Sequence, residues 1–227
     1  MSTLNETSLL SVSENFIVKN LCNLEEYSID IGAARGDFAS QMSLYSKFVF
    51  AIEPNPIKIK QLIVSRKNIQ LFENAASSIH GKNVELRVVS ATPANSTIEI
   101  LNKLEGFDGI EFRNVKTIKI DEICKHSTSF MKIDCEGGEY DILTEENFDW
   151  IYNNVGHIAV EVHRRHADSG NRDMIKFRNE FLKKYEDEGR LKYQNENHRK
   201  GMWNDELILA SDWWNLPSEF MAYFIKK

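Results

Sequence analysis

No stretch of this 227-residue chain approaches the ~20 uninterrupted apolar residues that cross a bilayer, so no membrane-spanning helix is predicted. Cysteine is scarce: Cys22, Cys124 and Cys135 are odd in number, widely spaced and form no Cys-x-x-Cys. That excludes a disulfide framework or a zinc ribbon and reads as reduced thiols packed in a core. The first residues carry no basic segment, and Leu9–Leu10 is too short for a signal-peptide core. These absences together predict a soluble, cytoplasmic chain. An excess of basic residues is missing too. The net charge of -6 argues against nucleic acid as a partner, because phosphate backbones require a basic surface. A small neutral or phosphorylated substrate stays open. There is no internal repeat.

What is present is ordinary globular material, with 42% hydrophobic and 27% charged residues. The length suits one domain spanning 1–227. Leu9, Val12, Phe16 and Leu21 recur at helical spacing and predict an N-terminal helix over 4–24. A core over 27–163 alternates strand and helix, which predicts an α/β fold with a mostly parallel sheet. Within it, Pro56–Lys67 reads as a crossover helix and Ile69–Glu73 as a strand. Asn83–Leu101 reads as a half-exposed pair of strands and Leu101–Asn114 as a mobile loop. Residues 171–227 are expected to add a helix striped by Met174, Phe177, Phe181, Leu182 and Tyr185. A closing hairpin of Leu191–Tyr193 with Leu207–Ala210 follows.

The most informative segment is 27–56. Tyr27–Ile31 is an apolar run tipped by Asp30, and Gly32 and Gly36 bracket a tight turn that lets backbone approach a ligand. Asp37 is placed to cap the helix that follows. The next run, Phe48–Ile52, ends at Glu53, and Pro54 and Pro56 stop the strand. An acid at the tip of the second strand of a βαβ unit can accept both hydroxyls of a ribose. The glycine pattern is Gly-x-x-x-Gly rather than Gly-x-Gly-x-x-Gly, and Asp30 would repel a pyrophosphate. That carboxylate suits the ammonium and sulfonium of S-adenosylmethionine (SAM) instead. The alternative is an α/β domain that binds no nucleotide and merely has well-made turns.

A second constellation lies at Met131–Glu139. Lys132 and Asp134 share one side of a strand, and Glu136 lies just beyond its carboxyl end, where ligands sit in open parallel sheets. Such charges are costly to bury unless paired, so a structural ion pair competes with a site role. Glu161 and His163 share a face at the end of the predicted strand His157–His163. Arg164, Arg165 and His166 follow as solvated or substrate-edge residues. Trp203, in the polar loop from Gln194, has a shape that packs on sugar faces or covers a core edge.

Taken in order, Asp30–Gly36, Glu53–Pro56, Asn74–Ser77, Thr117–Ile123, Met131–Glu139 and Val160–His163 resemble the FkbM-type family of SAM-dependent methyltransferases. The resemblance covers about 60% of the chain. It implies a three-layer, Rossmann-like class I methyltransferase fold, with a mostly parallel seven-stranded sheet and an antiparallel last strand. It also implies O-methylation of hydroxyls on sugars, whether nucleotide-sugars, surface glycans or natural-product glycosides. By position, Asp30, Gly32 and Gly36 would hold the methionine moiety and Glu53 the ribose. Asn74 to Ser77, with Ala75 and Ala76, would lie near the adenine, and Ala33 and Pro54 complete the cofactor-binding set. Lys132, Asp134, Glu136, Glu161 and His163 would face the acceptor. Gly138, where the family often has alanine, is the one departure.

On these residues His163 is the first candidate for the base that deprotonates the acceptor, by its intrinsic pKa, with Asp134 second. Asp134, Glu136 and His163 could instead hold Mg²⁺ or another divalent ion. An amine or carboxylate acceptor, or a non-catalytic binding module, are the competing readings. The acceptor hydroxyl and the oligomeric state have no signal in the sequence.

Overall fold

The computed structural model describes residues 19–55, 58, 66–89, 96–98, 110–163, 179, 181, 183–188, 191–194 and 219–225. The main sheet is built from β1 (Tyr27–Ile31), β2 (Phe48–Ile52), β3 (Ile69–Phe72), β8 (Thr128–Ile133), β9 (Val155–His163), β10 (Leu191–Gln194) and β11 (Glu219–Ile225). Their order is β10-β11-β9-β8-β1-β2-β3. From β9 to β3 every neighbouring pair is parallel. β11 is antiparallel to both β9 and β10, so it alone runs against the rest. This is the expected α/β architecture.

The strands read as nearly continuous apolar runs because both faces are covered. β8 is buried at every position. Ile29, Ile31, Phe50, Ile52, Met131, Ile133 and Val160 project into one core, against α2 (Ile120–Ile123), α3 (Glu139–Ile142) and α4 (Glu145–Asn154). Phe181 in the same core is completely buried, as is Tyr185 of α5 (Lys183–Asp187) at 1% exposure. Val49, Ala51, Phe130 and Ala159 face the other way, onto Phe38 and Met42 of α1 (Asp37–Met42). Each of the larger side chains (Val, Ile, Phe and Met) contributes roughly 1.5–3 kcal/mol of burial. Asp30, Lys132 and Glu161 are in register with this second face.

A smaller sheet flanks the core, in the order β4 (Ala75–Ala76), β7 (Ile110–Ile118), β5 (Asn83–Val89), β6 (Ser96–Ile98). The expected strand pair at 83–101 is there, but the longest partner of β5 is β7. Residues 110–114, read from sequence as loop, are therefore strand. Their polar side chains are exposed on an outer sheet, so polarity there did not signal a loop. Residues 99–109 lie outside the described residues.

Other local expectations shift by a residue or two. Gly36, not Asp37, is the N-cap of α1, with Asp37 in the first turn where a negative charge suits the helix dipole. From sequence Asp121 reads as a cap for the turn Glu122–Lys125, but the N-cap of α2 is Lys119 and Asp121 is inside the helix. β9 starts at Val155 rather than His157. β10 pairs with Glu219–Ile225, while its expected partner 207–210 lies outside the described residues, as do Arg164–His166, Met174, Phe177 and Trp203. The same holds for 4–18 of the N-terminal helix and for most of the crossover helix; 19–21 and Lys58 are helical. Among the described residues no helix is long and apolar enough to cross a membrane.

Candidate active site

The strand order reverses between β1 and β8, and the candidate residues gather at the carboxyl ends of these strands and their neighbours. The turn after β1 is held by backbone contacts: the N–H groups of Gly32 and Ala33 both donate to the carbonyl of Ile52, at 2.9 and 3.0 Å. Gly32 has φ 78°, and a Cβ there would sit 1.7 Å from the carbonyl oxygen of Asp134. The glycine is required because β8 passes directly over the turn. The expected backbone approach is thus first an approach of protein to protein. Gly36 at φ 82° then launches α1.

Glu53 is 3% exposed. Its Oε2 accepts the N–H of Ala34 at 2.9 Å and its Oε1 the N–H of Asn55 at 2.8 Å. Burial pushes its pKa up, while Lys58 and these two amides act against that. A carboxylate oxygen can accept from more than one donor. A cleft beside it is lined by Gly32, Glu53, Pro54, Ala75, Ala76, Asp134 and Glu136. Asp30, Ala33, Gly36 and Asn74 do not line this cleft. Asn74 donates to the carbonyl of Lys116 at 3.1 Å, tying the loop before β4 to β7.

Asp30 has no exposed surface and neither oxygen makes a well-formed hydrogen bond. Its nearest counter-charge is the ammonium of Lys132, 3.8 Å away. Burial pushes its pKa up to about 6, against the pull of Lys132. Lys132 also donates to Asp134 Oδ2 at 3.1 Å and lies 5.1 Å from the centre of the Phe38 ring. Burial would lower its pKa, but Asp134 and Asp30 outweigh that and keep it charged. Burial would likewise raise Asp134, yet Lys132 brings it below the ordinary carboxylate range. One ammonium therefore serves two acids, and the structural pairing and the site position coexist.

His163 is 2% exposed. Its Nδ1 lies 3.3 Å from Glu139 Oε1, and its Nε2 3.6 Å from Glu136 Oε2. Burial alone would lower its pKa. The hydrogen bond and charge of Glu139, with Glu136 and Glu161, raise it to about 9. Glu161 is pushed up to about 7 by burial and by the charge of Asp134. Ligand atoms of Asp134, Glu161 and His163 lie within 4.8 Å of one another. The expected trio contained Glu136 in place of Glu161; Glu136 pairs with the histidine ring instead.

Two residues of this region, Lys58 and Glu139, escaped the sequence reading, and a third, Cys135, was read there only as a packed thiol. Lys58 lines the cleft and opposes the charge of Glu53. Cys135 lines the cleft as well, and burial pushes its thiol pKa well up. Glu139, completely buried, accepts from Gly137 and His163. An acid directly after Gly137–Gly138 at a helix start was the available signal for it.

Comparison with known proteins bears on the family and the fold. Residues 30–189, well over half of the chain, match the methyltransferase FkbM domain family. A crystal structure of methyltransferase FkbM from Methylobacillus flagellatus KT aligns with 97% of this chain at 17% identity and TM-score 0.47. The alignment covers 46% of that protein, so this chain spans about half its length. SMU.1697c from Streptococcus mutans, solved in complex with SAH, aligns over 94% of this chain and 96% of its own, at 9% identity and TM-score 0.50. A precorrin-6y C5,15-methyltransferase from Geobacter metallireducens GS-15 aligns over 100% and 94%, at 12% identity and TM-score 0.46. No curated protein matches. Likenesses this distant concern the fold, whereas the domain match concerns the family. The chain belongs to the FkbM methyltransferase family.

Proposed function

We propose that the chain is a SAM-dependent O-methyltransferase, soluble and cytoplasmic, whose acceptor is a sugar hydroxyl. The observation that carries this is one cleft at the β1–β8 crossing, with Glu53 on one wall and Asp134 and Glu136 on the other. The residues present suit SAM. Glu53 can accept further hydrogen bonds from a ribose diol, and small Ala75 and Ala76 leave room beside it. The acidic wall favours a cationic sulfonium over a pyrophosphate.

When bound, the cofactor supplies an electrophilic methyl group whose transfer leaves a neutral thioether. The protein's part is to line up the acceptor oxygen, worth up to ~7–11 kcal/mol, and to take its proton. His163 was the expected base, but it lies between two carboxylates and holds its proton to about pH 9. Asp134 is kept ionised by Lys132 and is a weak base. Glu161, with a pKa of about 7 beside both, is the group suited to accept the proton. Lys132 and Asp134 then fix the charge around it.

Replacing Glu161 with glutamine is expected to lower kcat by roughly 10²–10⁴-fold while leaving cofactor affinity intact. A base must be deprotonated to act, so wild-type kcat should rise with pH through about 7. The check is mass-spectrometric detection of methylated product from SAM and a panel of sugars and nucleotide-sugars, across pH. Amine acceptors belong in the panel, because product from these alone would replace the sugar reading. Unchanged turnover in the variant would remove Glu161 from the role.

The close grouping of Asp134, Glu161 and His163 favours a second reading, in which a divalent ion held there lowers the pKa of the acceptor hydroxyl. EDTA would then abolish turnover and Mg²⁺ restore it, while the proton-acceptor reading expects no effect.

A further inference from the structure

Among the described residues, two other than glycine have left-handed backbone: Ala34 at φ 48° and Glu136 at φ 54°. They stand in the turns after β1 and β8, the strands that meet at the cleft. This conformation disfavours any side chain, because Cβ crowds the carbonyl oxygen. At Ala34 the side chain is only a methyl, and the turn aims the backbone N–H at Glu53 Oε2, 2.9 Å away. At Glu136 a long carboxylate is kept where glycine would suit the backbone better, although the next residue, Gly137 at φ 105°, is a glycine. A residue held against its backbone preference beside a ligand cleft points to a use for its side chain.

The position of Glu136 says which use. It lines the cleft with Glu53 and Asp134. Its Oε2 also lies 3.6 Å from Nε2 of His163, which groups with Asp134 and Glu161. Glu136 therefore stands at the junction between the cofactor cleft and the proton-accepting group. A methyl passing from one to the other crosses that junction, so the sulfur it leaves must lie close by. Asp134, the other acid on this wall, is committed to Lys132 at 3.1 Å.

We propose that Glu136 is the residue by which the cleft distinguishes SAM from its product. The proposal rests on the SAM reading above and names the side chain that senses the cofactor's charge. SAM and S-adenosylhomocysteine differ by one methyl and one positive charge. On transfer the C–S electron pair stays on sulfur, the methyl bonds to the acceptor oxygen, and that oxygen's proton goes to Glu161. A carboxylate at the junction attracts the sulfonium and has no such hold on the neutral thioether. The reaction itself thus loosens the spent cofactor and favours its exchange for a fresh one.

The test is calorimetric titration of the full-length chain with SAM and with S-adenosylhomocysteine, separately, without acceptor and at one neutral pH. Glu136→Gln keeps the shape and removes the charge. It should lower the ratio of SAM affinity to S-adenosylhomocysteine affinity by about tenfold or more, almost all of it through SAM. The backbone argument is read without ligand. Glu136→Gly and Glu136→Ala both lose the carboxylate, so the glycine variant should melt roughly 2–4 °C above the alanine one.

An unchanged ratio in Glu136→Gln, or a loss shared equally by both ligands, overturns the proposal and leaves the cofactor reading standing. A folded wild-type chain that binds neither ligand removes the cofactor reading and the proposal with it. Equal melting temperatures for the glycine and alanine variants would show that glutamate is not held there against its backbone, and the proposal falls. Should Glu136→Gln fail to fold, Glu136→Gly carries the same comparison of the two ligands.

Discussion

Glu53→Ala is expected to weaken binding of S-adenosylhomocysteine by roughly 10²–10⁴-fold in calorimetric titration. A ribose diol on Glu53 makes two charge-assisted hydrogen bonds at ~1.5–3 kcal/mol each, and ~1.4 kcal/mol is a factor of ten in affinity. The loss has a second source in the unliganded protein. Glu53 ties the turn after β1, through Ala34, to the chain leaving β2, through Asn55. Alanine frees both amides and loosens the cleft before any ligand arrives. Glu53→Gln retains one acceptor oxygen and should fall between the two. A folded wild-type chain that binds no S-adenosylhomocysteine would overturn the SAM assignment itself.

The largest effect on stability is expected at Gly32. An added methyl would lie 1.7 Å from Asp134 O and 2.7 Å from its carbonyl carbon, both rigid backbone, at a φ of 78°. Overpacking and left-handed strain each cost ~1–3 kcal/mol, so Gly32→Ala should lose about 4 kcal/mol. For a chain of this size that is a drop of roughly 8–16 °C in Tm, measured by thermal denaturation followed by circular dichroism. Gly81 is the control. Its φ is 71°, yet nothing lies within 4 Å of its added Cβ, so Gly81→Ala should cost only the backbone strain. Equal losses at the two positions would show that the contact with Asp134 is unimportant.

The parts of this site that were legible in the sequence are those whose signal is local. Asp30, Gly32 and Gly36 fall within one turn, and Glu53 is set at a strand end by the prolines behind it. Lys132 and Asp134 share a face because they are two apart. What the sequence could not give is which strands lie side by side. That Lys132 answers Asp30 follows from β1 and β8 being neighbours in register. That His163 is held by Glu139 joins residues 24 apart on different elements. The preference for His163 as base used an isolated-imidazole pKa, which two neighbouring carboxylates raise. The described partner of β10 is Glu219–Ile225, far along the chain. Hydrophobic alternation does not encode partner or register at that distance.

The position of β11 bears on how the protein is made. It is the last described strand, yet it fills the gap between β9 and β10, with Glu219 opposite His163 and Met221 opposite Glu161. A nascent chain leaving the ribosome can stack β1, β2, β3, β8 and β9 early. Its growing sheet then ends at β9, the strand that carries Glu161 and His163, with an unsatisfied edge open to any passing strand. Among the described residues β10 joins the sheet through β11, so it does not cover that edge itself. The edge of β9 thus stays open until β11 has emerged and docked, so closing it is a late step in assembling this sheet.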